Sequence, residues 1–104
     1  MAIRLTEGGR YLPRTENAIR HFIWQATLTV ELGATWAKAW GDAHEVGSKD
    51  ARDSRIDLSN KWRARWWATR TMSRLKEIRR EGRERMMRYL RWKAETLVRS
   101  GFLR

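Results

Sequence analysis

A chain of 104 residues has room for one domain, and the absence of cysteine excludes disulfides, thiolate nucleophiles, zinc fingers and iron–sulfur clusters. Charged residues make up 34% and apolar residues 41%, with seven tryptophans, so a packed core is expected rather than disorder. No apolar run approaches the roughly 18 residues that span a bilayer, and the N-terminus lacks the apolar stretch of a signal peptide. We therefore expect a soluble domain, or one secreted by another route.

The positive charge is concentrated in the second half of the chain. Residues 1–53 hold seven Lys/Arg and seven Asp/Glu, whereas residues 54–104 hold sixteen and five, so the net charge of +11 lies in the second half. A basic region of this density indicates an anionic partner: RNA or DNA, an acidic membrane surface or an acidic protein. Solvated helix faces are the alternative explanation.

The first predicted helix covers residues 15–32. Pro13 and Thr15 indicate its start, with Thr15 as the N-cap, and Gly33 ends it. Apolar residues at helical spacing predict its buried face: Ile19, Phe22, Ile23, Ala26 and Val30. A second stripe beside it combines polar and apolar residues: Asn17, Arg20, His21, Trp24 and Leu28.

The second predicted helix covers residues 35–45 and follows a short connection at Gly33-Ala34. One of its faces carries four residues at helical spacing: Trp36, Ala39, Trp40 and Ala43. So short a connection predicts an antiparallel helical hairpin. His21 and His44 then come to about the same height, because they lie twelve residues before and eleven residues after Gly33.

A polar loop and a third helix are predicted next. Residues 46–53 contain glycine and polar residues and predict an exposed loop, after which Asp53 or Ser54 caps the helix. One face of this helix carries Leu58, Trp62, Trp66 and Thr69, and another carries Asp57, Asn60, Lys61 and Ala64.

The rest of the chain is predicted to be helical and basic. A single helix from Arg55 to about Val98 would exceed roughly 60 Å, so we expect a break at residues 71–73 or at Gly82. The apolar side of the last helix is Met86, Met87, Leu90, Ala94 and Leu97. No strand is expected, because two-residue alternation is missing.

The sequence therefore predicts an all-α fold. It is a single helical domain over residues 1–104 with four to five helices, an N-terminal antiparallel hairpin and a long basic C-terminal region. The polar, histidine-containing site is expected within residues 15–61, and the Trp/Arg-rich helical region is residues 62–104.

The candidate site consists of residues in or beside the neutral half: Asn17, Arg20, His21, His44, Glu45, Asp57 and Asn60. Imidazole titrates near pH 6.5, so the two histidines can exchange protons near neutrality. A carboxylate, Asp57 or Glu45, would orient one ring, and Arg20 would hold an anionic group. Each residue also has a purely structural explanation, such as an interior histidine bonded between helices.

Several known sites are excluded by the sequence. The segment that begins His44-Glu45 lacks the second histidine of a zinc-protease helix, and neither a glycine-rich phosphate loop before a lysine nor Gly-x-Ser-x-Gly occurs. No cofactor is required by the sequence. A divalent metal held by the two histidines and Asp57 remains compatible with the ligand types.

Three segments resemble a family of small uncharacterised helical domains. They are Asn17–Ala26 (NAIRHFIWQA), Asp42–Glu45 (DAHE) and Ser54–Asn60 (SRIDLSN). The family shows Asn-Ala-x-Arg-His-x-x-Trp, Ala-His-Glu and Asp-Leu-x-Asn-Asn segments in this order, and Lys61 stands where its second asparagine is expected. The resemblance covers about residues 16–61. It implies a C-terminal toxin domain of a bacterial polymorphic secreted protein, delivered into a target cell, with an immunity protein as partner.

Two main classes of function follow from these observations. The first is a toxin-like, nuclease-like hydrolase in which His21, His44, Glu45 and Asp57 are catalytic. The basic half attracts an anionic, phosphate-containing substrate, most simply RNA or DNA, and a phospholipid or a lipid-linked phosphate is also compatible. Its predicted substrate-binding residues are Asn17, Arg20, Trp24, Asn60, Arg63, Arg65 and Arg70. The second is a non-enzymatic basic module that binds nucleic acid, an anionic membrane surface or an acidic protein, with arginines on phosphates and Trp62, Trp66 and Trp67 packing or stacking on bases.

Overall fold

The computed structural model describes residues 6–7, 10–44 and 51–104, and the side chains within residues 11–43 and 55–104. Within these ranges the chain forms five helices and one short β ladder, which confirms the all-α class. The elements are β1 (Thr6–Glu7), β2 (Arg10–Tyr11), α1 (Pro13–Leu32), α2 (Ala34–His44), α3 (Ala51–Arg70), α4 (Met72–Arg80) and α5 (Arg83–Ser100).

The β ladder corrects the expectation that the chain has no strand. β1 and β2 are antiparallel, with Thr6 opposite Tyr11 and Glu7 opposite Arg10. Strands of two residues are too short to show the alternation of polar and apolar residues from which strands are predicted. Their pairing therefore left no signal in the sequence.

Helix α1 begins two residues earlier than predicted. Pro13 is its first residue, because proline has no amide hydrogen to satisfy and its φ angle already suits a helix. Leu12, rather than Thr15, is the N-cap, and its carbonyl accepts the Glu16 amide at 2.9 Å. Gly33 ends the helix with a positive φ of 89°, and α2 begins at the next residue.

The predicted antiparallel hairpin is confirmed by the packing of α2 on α1. A β-carbon added at Gly41 would lie only 2.8 Å from Gln25 Nε2. These residues lie eight positions on either side of Gly33, so the two helices return along each other. Helix α3 runs in the same direction as α1. Asp57 contacts His21, and further along both helices Arg65 contacts Gln25.

The core lies where α1, α3, α4 and α5 meet. The predicted stripe of α1 is confirmed: Ile19, Phe22, Ala26 and Val30 are buried and Ile23 is partly buried. The other buried core residues include Ala64, Trp67, Ala68, Leu75, Ile78, Met86, Leu90, Ala94, Val98 and Leu103. The Trp67 ring connects the two sides of the core, 5.2 Å from the Phe22 ring centroid and 6.4 Å from that of Tyr89.

Most tryptophans lie outside the core. On α2 the face with Trp36, Ala39, Trp40 and Ala43 is exposed, and the buried positions are Ala37 and Gly41. On α3, Trp62 and Trp66 are 55% and 42% exposed. The buried face of α3 is instead the polar one, with Asp57, Asn60, Lys61 and Ala64. Small residues on α2 allow a close approach of the helices, and this leaves the indoles outside.

The other predicted boundaries are confirmed in part. Residues 51–53, predicted as the end of a loop, belong to the first turn of α3, and residues 45–50 lie outside the described part of the chain. Both candidate breaks occur, one at Thr71 and the other at Glu81 and Gly82. On α5 the apolar side is buried at Met86, Leu90 and Ala94, whereas Met87 is 37% exposed.

Polar contacts connect Tyr11 and Glu16 with α5. The Tyr11 hydroxyl donates to Glu95 Oε2 at 2.5 Å, and this hydrogen bond raises the pKa of Tyr11 above its usual value. Arg91 donates two hydrogen bonds to the Glu16 carboxylate, at 2.9 and 3.1 Å, and these lower the pKa of Glu16. None of the helices in the described part of the chain is long and apolar enough to cross a membrane.

Candidate functional site

A row of polar side chains lies between α1 and α3. Each helix contributes one residue per turn, and we call these six residues the polar seam: Asn17, His21 and Gln25 on α1, and Asp57, Lys61 and Arg65 on α3. Spacing of four residues places each triplet on one helix face. Because the two helices run in the same direction, the triplets face each other in sequence order.

Asp57 forms the first contact of the polar seam. The Asp57 side chain is 7% exposed. Its Oδ2 lies 3.5 Å from His21 Nε2, and its Oδ1 lies 3.5 Å from Asn17 Nδ2. The His21 side chain is 11% exposed. A buried carboxylate beside an imidazole orients the ring and stabilises its protonated form. The structure therefore brings together two of the four predicted catalytic residues.

Lys61 forms the middle of the polar seam and is fully buried. Its ammonium donates to the Gly41 carbonyl at 3.3 Å and lies 5.6 Å from the centroid of the Trp24 ring. A charged amine this far from water needs such partners, because burying a charge without them is very costly. Lys61 thereby connects α3 to both helices of the hairpin.

Arg65 and Gln25 form the last contact of the polar seam. The guanidinium donates to Gln25 Oε1 at 2.9 Å, and Arg65 is 7% exposed. Burial lowers the pKa of Arg65, and the nearby Asp42 carboxylate opposes this shift. Arg65 was predicted to bind substrate, but its contact with Gln25 gives it a clear structural role.

A pocket of about 450 Å³ opens beside Asp57. We call it the α1–α3 pocket; its walls include four of the predicted site residues, Asn17, Arg20, Asp57 and Asn60, together with Arg14 and Arg104. Three of these six residues are arginines, whose planar guanidinium groups bind phosphates and carboxylates. The volume lies within the range of ordinary small-ligand sites. His21 is adjacent because it contacts Asp57.

Asn60 contributes a buried amide to the wall of the α1–α3 pocket. The residue is 1% exposed, and its Oδ1 accepts the backbone amide of Arg104 at 2.9 Å. Among the described residues, its Nδ2 is buried and has no hydrogen-bond partner. An amide donor left in this state is available to an acceptor oxygen of a ligand.

The remaining predicted catalytic residues are His44 and Glu45. His44 is the last residue of α2, with its side chain outside the described part, and Glu45 lies outside it altogether. The backbone of α2 does reach the expected height, because Gly41 packs at the level of Gln25 and His44 lies about one turn further towards the level of His21.

The other predicted substrate-binding residues lie apart from the α1–α3 pocket. Trp24 lines a separate groove between α1 and α5, which it shares with Arg20. The Arg63 guanidinium contacts the Ser59 hydroxyl and lies 5.8 Å from the Phe102 ring. Arg70 lies 4.4 Å from the Trp66 ring, at the opposite end of α3 from Asp57.

A third concave surface lies between α2 and α3. We call it the tryptophan groove; it has a volume of about 620 Å³, and its walls include Lys38, Trp62, Arg65, Trp66 and Arg70. Trp62 and Trp66 are the two exposed tryptophans of α3. The sequence predicted that these tryptophans pack or stack on bases, and the structure places them at the surface beside cationic side chains.

Two arginines of the α1–α3 pocket were not predicted as site residues. Arg14 lies one helical turn before Asn17 and on the same face, a spacing that would have identified it. Arg104 comes from the other end of the sequence, and no local pattern indicates its position. Lys61 and Gln25 were not recognised as buried, because their residue types are usually exposed.

Across residues 11–43 and 55–104, no three His, Cys, Asp or Glu side chains are close enough together to hold a metal ion. The metal ligands considered from the sequence included His44, whose side chain lies outside this part. The described residues therefore provide His21 and Asp57 as one side of such a site, without a third ligand.

Neither a curated protein nor a solved structure matches the chain. One family model does match, and its description is a domain of unknown function, DUF6973. The match extends over residues 3–95, which include α1 to α4, α5 as far as Glu95, and every predicted site residue. The chain belongs to this family, the domain of unknown function DUF6973.

Proposed function

We propose that this chain is a toxin-like bacterial effector domain that hydrolyses an anionic, phosphate-containing substrate, with nucleic acid as the favoured class. The observation that carries the proposal is the buried Asp57 carboxylate, which faces both His21 and Asn17 beside a pocket with three arginines. An oriented imidazole next to an anion-binding pocket is what acid–base hydrolysis of a phosphate ester requires.

The proposal assigns one role to each residue. The substrate phosphate binds to the arginines of the α1–α3 pocket, and the Asn60 amide donates to one of its oxygens. The ring nitrogen of His21 that does not face Asp57 takes a proton as a water oxygen attacks phosphorus. The bond from phosphorus to the leaving oxygen breaks, and that oxygen takes a proton, for which His44 is the predicted donor. Asp57 stabilises the imidazolium formed at His21.

Nucleic acid is favoured over other phosphate-containing substrates because of the protein's high positive charge. The net charge of +11 lies in the helices beyond residue 53, and a polyanion gains from many such contacts without sequence recognition. The toxin role and the immunity protein depend on the resemblance of the three sequence segments. They are tested by expression in bacteria.

The main test is hydrolysis of labelled single-stranded RNA, single-stranded DNA and duplex DNA by the purified chain. His21→Ala and Asp57→Asn should lower kcat by about 10²- to 10⁴-fold. Glu77→Gln is the control, since it also neutralises one carboxylate, at an exposed position on α4 outside both the α1–α3 pocket and the tryptophan groove. Helical circular dichroism and Tm show whether each variant is folded, and chelator with added Mg²⁺ or Mn²⁺ tests for metal dependence.

A growth test shows whether toxicity depends on the proposed catalytic residues rather than on the amount of protein expressed. Inducing the wild type should arrest bacterial growth, and folded His21→Ala and His44→Ala should relieve the arrest at matched soluble levels. Equal hydrolysis by folded His21→Ala and wild type would refute the acid–base role. Binding of nucleic acid with no turnover under any metal condition would leave the non-enzymatic basic module as the function.

A further inference from the structure

The tryptophan groove has the composition of a site for flat, anionic ligands. Trp62 and Trp66 are 55% and 42% exposed, yet both lie in the walls of a concave surface. Its cationic wall residues are Lys38, which pairs with Asp42, the largely buried Arg65, and the exposed Arg70. None of the described residues that line the groove is acidic. Exposed indoles bordered by positive charge are available for stacking and for charge pairing with one ligand.

We propose that this groove binds a single-stranded segment of nucleic acid, with bases stacked on Trp62 and Trp66 and phosphates held by Arg70. The inference rests on the proposed function for its ligand class, and it adds a binding surface separate from the α1–α3 pocket. Arg70 is already positioned against the Trp66 ring, with its guanidinium carbon 4.4 Å from the ring centroid. A fixed guanidinium loses less entropy when it binds a phosphate.

The spacing of the indoles suits a polynucleotide. Trp62 and Trp66 are one helical turn apart, which is about 6 Å along the axis of α3. Bases in one strand repeat about every 3.4 Å, so the two rings can receive neighbouring or next-neighbouring bases. A duplex offers no free base faces except at its ends, and single-strand binders use aromatic platforms of this kind.

The shape of the groove argues against a membrane surface as its ligand. Helices that lie on bilayers bury a continuous apolar face between cationic flanks. Here the two indoles lie inside a concavity of about 620 Å³ with cationic walls. The concavity matches the thickness and charge of a strand better than it matches an acyl layer.

The position of the groove relates it to the proposed catalytic site. Trp62 lies five residues after Asp57 on α3, about 7.5 Å along the helix axis. Five residues also turn the helix by about 140°, so a strand held on the two indoles reaches the α1–α3 pocket only by passing around α3. The groove would increase affinity for strands of several nucleotides and leave a mononucleotide unaffected.

The test is binding of a fluorescein-labelled twelve-nucleotide thymidine strand, measured by anisotropy. It uses the Asp57→Asn background, in which hydrolysis is expected to be at least about 10²-fold slower. Trp62→Ala and Trp66→Ala should each weaken binding by about 5- to 150-fold, and Arg70→Gln should weaken it and reduce the salt dependence. Trp92→Ala is the control, because Trp92 is 57% exposed on α5, away from the groove. Trp92→Ala should change the affinity for the strand by less than twofold. An unlabelled duplex of equal length should compete poorly with the labelled strand.

Equal affinities for Trp62→Ala, Trp66→Ala and Trp92→Ala would overturn the inference. The inference would also be overturned if Trp62→Ala and Trp66→Ala weakened only self-association or binding to anionic vesicles. The two proposals fail separately. Groove-dependent strand binding without hydrolysis refutes the proposed function alone, whereas hydrolysis with the same KM in Trp62→Ala and Trp92→Ala refutes the groove alone.

Discussion

Replacing Gly41 by alanine should destabilise the protein although alanine favours helices. The helix propensity gain is about 1 kcal/mol. Against it, the new β-carbon would lie 2.8 Å from Gln25 Nε2 and 3.4 Å from Lys61 Cδ, and both side chains are fully buried. Overpacking costs about 1–3 kcal/mol, and displacing Gln25 breaks the charge-assisted bond from Arg65, about 1.5–3 kcal/mol. The net loss is about 1.5–5 kcal/mol.

Thermal and urea unfolding followed by circular dichroism measure this loss. A Tm decrease of about 6 °C or more is expected for Gly41→Ala. Ala39→Gly is the control, since it changes helix propensity at an exposed position of the same helix and should cost only about 1 kcal/mol. In a Gln25→Ala background the clash is removed, so Gly41→Ala should become stabilising. A higher Tm for Gly41→Ala in the otherwise native chain would refute the packing argument.

Two further predictions concern α5. The pKa of Glu16 is lowered by hydrogen bonds from Arg91, so the ionised pair stabilises the fold above the ordinary pKa of 4.5 and this contribution disappears as the pH falls through the lowered value. Glu16→Gln should therefore reduce stability by about 0.2–1 kcal/mol at neutral pH and flatten its decline in acid; an unchanged acid profile would contradict the assignment. Leu90→Ala should cost about 2–5 kcal/mol in urea unfolding because Leu90 is fully buried, whereas Met87→Ala, at a position 37% exposed, should cost much less.

Local signals were sufficient to predict the helical framework. Gly33 fixes the end of α1 because its positive φ suits glycine, and the apolar stripe with Phe22 identifies the buried face of α1. The breaks near Thr71 and Gly82 likewise follow from residues that interrupt helices. Each of these features depends on neighbours within a few positions, which a sequence pattern contains.

The orientation of α3 could not be predicted in the same way. Lys61 is fully buried while its neighbour Trp62 is 55% exposed, the reverse of what residue hydrophobicity suggests. The polar face of α3 is stable inside the protein because it contacts polar partners, among them His21 and Gln25. These partners lie 36 to 40 positions away in the sequence. Such pairing depends on tertiary contacts and leaves no periodic signal.

The sequence predicted only some of the residues that line the α1–α3 pocket. Asn17 and Asp57 were recognised as one site and do contact each other, since the hairpin and the third helix bring them together. Arg104 could not be found, because it reaches the pocket only after α4 and α5 have crossed the core. The basic tail thus supplies part of the pocket as well as the overall charge.

The polar seam also determines how α1 and α3 are aligned along their axes. Apolar stripes tolerate a shift of one turn, since each leucine or alanine finds another apolar neighbour. Here a shift of one turn, about 5.4 Å, would separate Asp57 from His21 and Arg65 from Gln25, leaving buried charges without these partners. Misaligned packings of the two helices are therefore unfavourable, and the same contacts that make the candidate site also select the single arrangement in which it exists.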